Sequence, residues 1–565
     1  MEHLRATALS GFGLFSEGHP AQVALPGVFL GLLFHLTIAQ MGDVEDFMYR
    51  LLAGFLFTMC SLGYTYSFLG FSCMATLARL LILASGFNIG LFSSMTIYRL
   101  FFHRLRRFPG PLNTKVSRFF SVMRAAKEVK YYKEVTKMHD EYGDFIRTGP
   151  RELCIVRKSA ISTIYGPGSK CRKSTWYTQK DADCDKISIN HARDIHEHRR
   201  RRKAWDRGFS IKALNTYEPR IKSLVDQFVS QIARRKGPID STAWSMFLGF
   251  DVMGDIGFGA RFDCVSTETE HPAIQAIHEH MTILGIMSHV PWLLNILTRI
   301  PGATAGYAPF MDYCSSQVQA KRNNFDPKTY PQDLMSWLLK AVLEKDVSAA
   351  PTEASLNEES RLMVIAGSET TASVLGTILF YMAKHPSVYK KLQSQVDVSM
   401  PTPSDWTYEK VKSITYIDNI IDESLRLQPP VPNGGTRVTP KEGIHIDEQF
   451  IPGHTNVFVP VKKIHSDPRY WKQGTEFVPE RWGERSVEMG TNGAPYMPFN
   501  AGAFSCPGKN LGILSLRITI SCLAQHFDIA FAPGETGETF EEDIKETFTM
   551  ALPPVMLQFS QRKRS

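Results

Sequence analysis

None of the nine cysteines in this 565-residue chain belongs to a Cys-x-x-Cys pair. They stand scattered at 60, 73, 154, 171, 184, 264, 314, 506 and 522, and their number is odd. This pattern excludes a disulfide scaffold and a structural zinc site and fits a reducing compartment. Internal repeats and low-complexity tracts are absent, and so is a glycine fingerprint for a dinucleotide, so no fused flavin or nicotinamide module is expected. The formal charge is only +8, and the basic residues follow no nucleic-acid motif, which excludes nucleic acid as a partner class. A charge of this size suits an anionic membrane surface or an acidic partner protein.

Charge is missing altogether from three stretches near the N-terminus, residues 21–41, 51–78 and 80–98. Each is about long enough to cross a hydrocarbon core of roughly 30 Å. A cleaved signal peptide would account for only one of the three. Arg99, Arg104, Arg106 and Arg107 cluster after the last stretch, while the link 42–50 is net acidic. The positive-inside rule then puts everything after Arg107 in the cytosol. Two or three transmembrane helices are expected, three placing the N-terminus across the membrane. Pro109 and Pro111 block helix continuation and stiffen a short hinge. The expected plan is an anchor at 1–107, a hinge at 108–111 and one catalytic body at 112–565.

The body reads as mainly α with small β-sheets. Amphipathic runs at 211–232 and 274–290 predict long helices, while 145–147 predicts a short strand and 153–156 and 161–164 short strands or turns. From 429 onward, short Val, Ile and Phe runs alternate with Pro, Gly and Asp, before one more helix at 511–523.

Cys506 has the most informative surroundings. It precedes Pro507, Gly508 and an apolar helical run, and a thiolate held before a helix N-terminus is stabilised by the dipole and by free N–H groups. Gly502 and Gly508 would let the backbone turn tightly and approach a flat cofactor. A buried inert cysteine beside a turn is the plain alternative. Three further groups stand out. Glu369 and Thr370 lie in the apolar run 362–383, where an acid is unexpected and a proton relay would rationalise it. Glu423 and Arg426 sit one helical turn apart, a favourable pair on any helix, with Arg481 some fifty residues on. His198 and Arg202 belong to the basic run 198–203, and Arg437 follows a Pro- and Gly-rich turn.

In this order, the segments resemble the cytochrome P450 family. Phe499, Gly502, Cys506 and Gly508 match the Phe-x-x-Gly-x-Arg-x-Cys-x-Gly haem loop, with Phe504 where the family has a basic residue. Ala366 to Thr371 is similar to the oxygen-activating helix, Glu423 to Arg426 to the Glu-x-x-Arg helix, and residues 479–482 to Pro-Glu-Arg-Phe, with Trp482 replacing Phe. The multi-span leader and the wording of the cysteine loop are most like fungal P450s of secondary metabolism.

The resemblance implies a P450 fold behind N-terminal transmembrane helices, with haem b (iron protoporphyrin IX) ligated by Cys506. It implies that Glu369 and Thr370 serve O2 activation, that His198, Arg202 and Arg437 meet the haem propionates, and that Glu423, Arg426 and Arg481 lock the core. The propionate partner usual at position 504 must be absent or supplied elsewhere. Arginines 199–201 are expected to face an acidic reductase surface. The implied activity is mono-oxygenation of a lipophilic secondary metabolite, of terpenoid or prenylated alkaloid type. Electrons would come from NADPH through a separate cytochrome P450 reductase, with cytochrome b5 as an additional partner. The expected location is the endoplasmic reticulum membrane, catalytic body in the cytosol. Pocket walls are expected from Met363, Val364 and Ala366, from 431–434 and from 281–287. A reductase-independent haem-thiolate isomerase or dehydratase is the alternative within the fold; a membrane transporter or receptor would leave Cys506 unexplained.

Overall fold

The computed structural model describes residues 20–40, 44–179, 181, 183–303 and 305–562. Three apolar helices lead the chain, Pro20–Thr37, Met48–Phe68 and Cys73–Ile97. Each is long and apolar enough to cross a membrane. The boundary between the second and third is not at Arg79, as the charge-free runs suggested. Arg79 lies inside the third helix, its guanidinium 4.2 Å from the centre of the Phe71 ring, so an aromatic face offsets its charge. The chain turns instead at 69–72, where Gly70 takes φ +92° and the Ser72 side chain caps the next helix by accepting from the Ala75 N–H.

The first and third helices run parallel and meet through glycines four residues apart. A Cβ on Gly31 would lie 2.1 Å from the Phe87 carbonyl oxygen, and one on Gly90 would lie 2.1 Å from that of Val28. Only glycine permits so close a backbone approach, the usual device of membrane-helix pairs. Because the two helices are parallel, their C-terminal ends emerge together. There, Asp46 pairs with Arg193 at 2.8 Å and Glu45 with Arg151 at 3.5 Å. The acidic link is thus neutralised by the body. The hinge is packed too: Arg147 N–H donates to the Pro109 carbonyl at 2.7 Å.

Behind the anchor the architecture is mainly helical with small peripheral sheets. Helix Glu353–Lys384 runs through the centre; it is also long and apolar enough for a membrane, but is mostly buried in the body. Helix Ser241–Met253 lies close against it because Gly249 and Gly367 face its neighbours. A Cβ on Gly249 would come within 3.0 Å of the Ser368 carbonyl. The largest sheet orders its strands Phe145–Gly149, Glu152–Ile155, Asn456–Phe458, Arg437–Val438 and Arg172–Lys173. In its last pair Lys173 stands opposite Arg437 in antiparallel register. Residues 161–164 are neither strand nor turn but part of helix Lys158–Tyr165, which buries Ala160 and Ile164 on one face. The expected helices appear as Ile211–Arg234, Pro272–Met287 and Lys509–His526.

Candidate active site

Cys506 lies where a turn meets a helix. Its N–H donates to the Phe499 carbonyl at 2.9 Å, closing the loop, and Gly508 is the N-cap of helix Lys509–His526. Gly502 has φ +63°, and a Cβ there would strike the Tyr165 carbonyl oxygen at 2.2 Å. Glycine is required on both counts. Arg202 donates from Nη1 to the Ser505 carbonyl at 2.7 Å, fixing the loop from outside. The thiol has accessible surface yet lies deep among protein atoms, as a group on a cleft wall does. Burial pushes it up, against the N–H groups of Gly508 and Lys509 and the Arg202 cation, which pull it down.

The central helix passes close to helix Lys509–His526, where a Cβ on Gly512 would lie 3.6 Å from Thr371 Oγ1. Ala366 is exposed and Thr370 half-buried within this otherwise buried stretch. Thr370 Oγ1 donates to the Ala366 carbonyl at 2.7 Å, the back-bond a mid-helix threonine makes. The helix nevertheless continues without a break. Glu369 is buried, and its Oε2 accepts from Thr549 Oγ1 at 3.0 Å while Oε1 has no protein partner. Burial raises its carboxyl to about 7, and the Thr549 hydrogen bond opposes the rise. Such a group holds or releases a proton near neutrality.

A cationic cluster surrounds Phe504. The Lys173 ammonium is 4.7 Å from its ring centre, the Arg437 guanidinium carbon is 5.0 Å away, and the His198 ring packs edge-on at 4.7 Å. Lys173 is buried and donates to the Ile189 and Asn190 carbonyls at 3.1 and 2.7 Å. Burial, then the neighbouring Arg437, push its ammonium well down. His198 is pushed to about 2, by burial first and then by Lys173, Arg202 and Arg437. Arg437 Nε and His198 Nδ1 are buried without protein partners. Arg437 and two buried basic groups that lose charge for want of a counter-charge, with donors left orphaned, fit an anionic group that would recharge them, and the open thiol fits a soft metal, so these residues suit haem. A basic residue at 504 would add one more cation here; phenylalanine instead offers its negative ring face to Lys173 and Arg437.

Glu423 accepts from Arg426 at 2.8 and 2.9 Å, from Arg481 at 3.0 Å, from the Val478 N–H at 2.8 Å and from Trp482 Nε1 at 3.0 Å. All three charged residues are fully buried. The indole donor explains why tryptophan serves at 482. The expectation for arginines 199–201 needs correction. Arg201 is buried, bound to Glu197, the Ile187 carbonyl and Ser355, and Arg200 pairs with Glu197. Only Arg199 of the three is exposed; Glu197 and the body's carbonyls claim the other two.

Sequence reasoning missed Lys173, Trp176 and Thr549. Trp176 stacks on Phe548 at 4.8 Å, and both line a cavity with Tyr177, Gly285, His289, Asn433 and Gly434. Asn433, Gly434 and Gly285 fall within the expected wall segments; Met363 instead packs toward Gly257. Nothing local marks the missed residues, since each acquires its role by tertiary contact.

Accessible thiol, buried acid, basic cluster and buried ion network together suit a haem-thiolate enzyme. The sequence model of the family described as Cytochrome P450 matches residues 109–559, and the chain belongs to that family. It is a cytochrome P450 monooxygenase, most like those of fungal secondary metabolism. It is 33% identical over 538 residues to Cytochrome P450 monooxygenase FCK2 of Fusarium pseudograminearum, covering 94% of this chain and 96% of that protein. Cytochrome P450 monooxygenase orf5 of Eupenicillium brefeldianum is 36% identical over 477 residues, covering 84% and 95%. Tryprostatin B 6-hydroxylase of Aspergillus fumigatus is 29% identical over 486 residues, 84% of each chain.

Proposed function

We propose that the chain inserts one oxygen atom from O2 into a lipophilic secondary metabolite, using electrons from NADPH passed by a separate cytochrome P450 reductase, with cytochrome b5 as a further donor. The carrying observation is the accessible Cys506 thiol beside the N-cap of helix Lys509–His526, with the buried, partly unpartnered Glu369 on the central helix in support. Haem bound there supplies O2 binding and the oxidising power. No Cys-x-x-Cys-His attachment motif is present, which favours non-covalent haem b.

The protein's own residues supply the rest. Cys506 ligates the iron, and Phe499, Gly502 and Gly508 shape the loop that presents it. His198, Arg202 and Arg437 hold the propionates, with Lys173 taking the place of the missing cation at 504. Glu369 passes a proton from the Thr549 side toward the cleft, and Thr370 hydrogen-bonds on the reacting face. Glu423, Arg426 and Arg481 fix the proximal wall beneath.

The Trp176–Phe548 stack offers an apolar wall, while Asn433 and His289 beside it offer polar contacts. A substrate with an apolar skeleton and a ring N–H suits both, which favours a prenylated alkaloid over a plain terpenoid. That one relative is by name a hydroxylase of tryprostatin B supports this reading. The proposed plan remains an anchor at 1–107, a short hinge at 108–111 and a catalytic body at 112–565. The parallel packing of the first and third helices favours three spans, N-terminus across the membrane and body cytosolic, in the endoplasmic reticulum. Metabolite profiling with and without the gene identifies the substrate. Reductase- and NADPH-dependent O2 consumption with that substrate is expected; turnover without either would establish the isomerase or dehydratase alternative.

A further inference from the structure

The turn Val44–Phe47 between the first and second anchor helices touches the body at one place with chemical consequence. Glu45 accepts from Thr175 Oγ1 and faces Arg151 at 3.5 Å. Asp46 accepts from Thr178 Oγ1 at 2.7 Å and from Arg193 Nη1 at 2.8 Å. Thr175 and Thr178 bound the short helix Thr175–Thr178, so its two ends are gripped by the two anchor carboxylates. A second hold comes from Asn295, which donates to the Thr178 carbonyl at 3.0 Å. Arg299 near it lies 4.5 Å from the Tyr49 ring centre on the second anchor helix.

The two residues between the gripped ends face inward. Trp176 stacks on Phe548, and the Tyr177 hydroxyl accepts from Arg437 Nη1 at 3.1 Å. Both line the cavity shared with His289 and Asn433. The helix is a single turn whose two inner side chains swing with its ends. Charge-assisted bonds at the two ends are strong and directional. Their placement therefore sets the position of a cavity wall and of one partner of Arg437.

We propose that Glu45 and Asp46 are positioning residues for the substrate pocket: the membrane anchor holds the Trp176–Tyr177 wall in place and so helps select which bulky ligands the site accepts. This rests on the haem-thiolate reading, and the anchor is then part of the active-site architecture as well as a tether. The Arg193–Asp46 pair lets the charge be exchanged without removing it.

Two azoles test it on the full-length, membrane-reconstituted holoprotein. Imidazole needs only the iron, whereas clotrimazole also fills the surrounding pocket, and both report through the Soret shift. In Glu45→Gln/Asp46→Asn, clotrimazole is expected to bind about tenfold more weakly or worse, the loss of one charge-assisted bond or more. Imidazole affinity and the reduced carbon monoxide band are expected to stay unchanged. The exchanged pair Asp46→Arg/Arg193→Asp, which keeps the ion pair but loses the Thr178 bond, is expected to restore part of the loss, and hydrogen exchange at 174–179 to accelerate more in the unpaired variant than in the exchanged one. Equal clotrimazole affinity in wild type and variant overturns the proposal, as does an equal loss for both azoles, which marks general destabilisation. Failure of the wild type to give any haem spectrum would sink the underlying reading instead, so the two failures are distinct.

Discussion

Lys173 and Arg437 face each other as a cross-strand pair, both buried, with the Phe504 ring within 5.0 Å of each charged group. Like charges directly opposite on adjacent strands are unfavourable on their own. Without a counter-charge, burial and Arg437 push the Lys173 ammonium well down; a haem propionate shared between the two has the charge to hold both as cations. The same pair explains the departure at 504. In the proposed site, a lysine on the strand Arg172–Lys173 takes the part of a cation on the cysteine loop.

Lys173→Met should weaken haem retention about tenfold or more, the loss of one charge-assisted bond. Transfer of haem to apomyoglobin measures it directly. Phe504→Arg alone should bring little gain, since it adds a cation to a crowded cluster. Combined with Lys173→Met it should restore retention. A Lys173→Met protein that holds haem as wild type does would contradict the assignment.

Glu369 titrates near neutrality because of burial. Its folded value of about 7 lies above the ordinary carboxyl value, so the neutral acid is favoured by the fold. That contribution is complete below the unfolded value of about 4.3 and is lost as pH rises through about 7. Product formation should fall above that pH as the neutral acid is depleted. Glu369→Gln should cost about 10²-fold in turnover and abolish this limb, with haem binding intact. Thr549→Val removes the one hydrogen bond that favours the carboxylate and should move the limb to higher pH. An unmoved pH profile in both variants would exclude the relay.

Removal of one partner from the Glu423 network leaves buried charge uncompensated. Glu423→Gln or Arg481→Met should each cost about 3–5 kcal/mol. Thermal unfolding of the holoprotein should show a lower midpoint, or the variants should fail to accumulate. Trp482→Phe removes only the indole donor at 3.0 Å and should cost about 1 kcal/mol. If the three variants were equally mild, the network would not be the lock described.

The anchor should insert with its N-terminus across the membrane from the body. A glycosylation acceptor placed ahead of residue 20 should be modified in microsomes, and one placed after Arg107 should not. Gly31→Leu would push a side chain into the Phe87 carbonyl and should separate the first and third helices, read as faster hydrogen exchange along residues 20–37. Modification after Arg107 would reverse the orientation.

The fold class and the cysteine loop were legible because their signals are local. Phe499, Gly502, Cys506 and Gly508 lie within ten residues, and Glu423 and Arg426 within one turn. Glu369 stood out because an acid in an apolar run is rare. Lys173, Trp176 and Thr549 were not legible, because strand pairing and packing across hundreds of residues give them their neighbours. Arg79 misled because charge was read as a boundary, while Phe71 accommodates it within the helix. Arg200 and Arg201 misled for a related reason: a dense basic run looks solvated until Glu197 and the Ile187 carbonyl are seen to claim it.

The most direct test of the central claim is the reduced, carbon monoxide-bound absorption spectrum of the full-length protein and of Cys506→Ser. Thiolate ligation predicts a Soret band at about 450 nm in the wild type and its loss in the variant. A wild-type band that does not move there, or the same band in both proteins, would contradict ligation by Cys506.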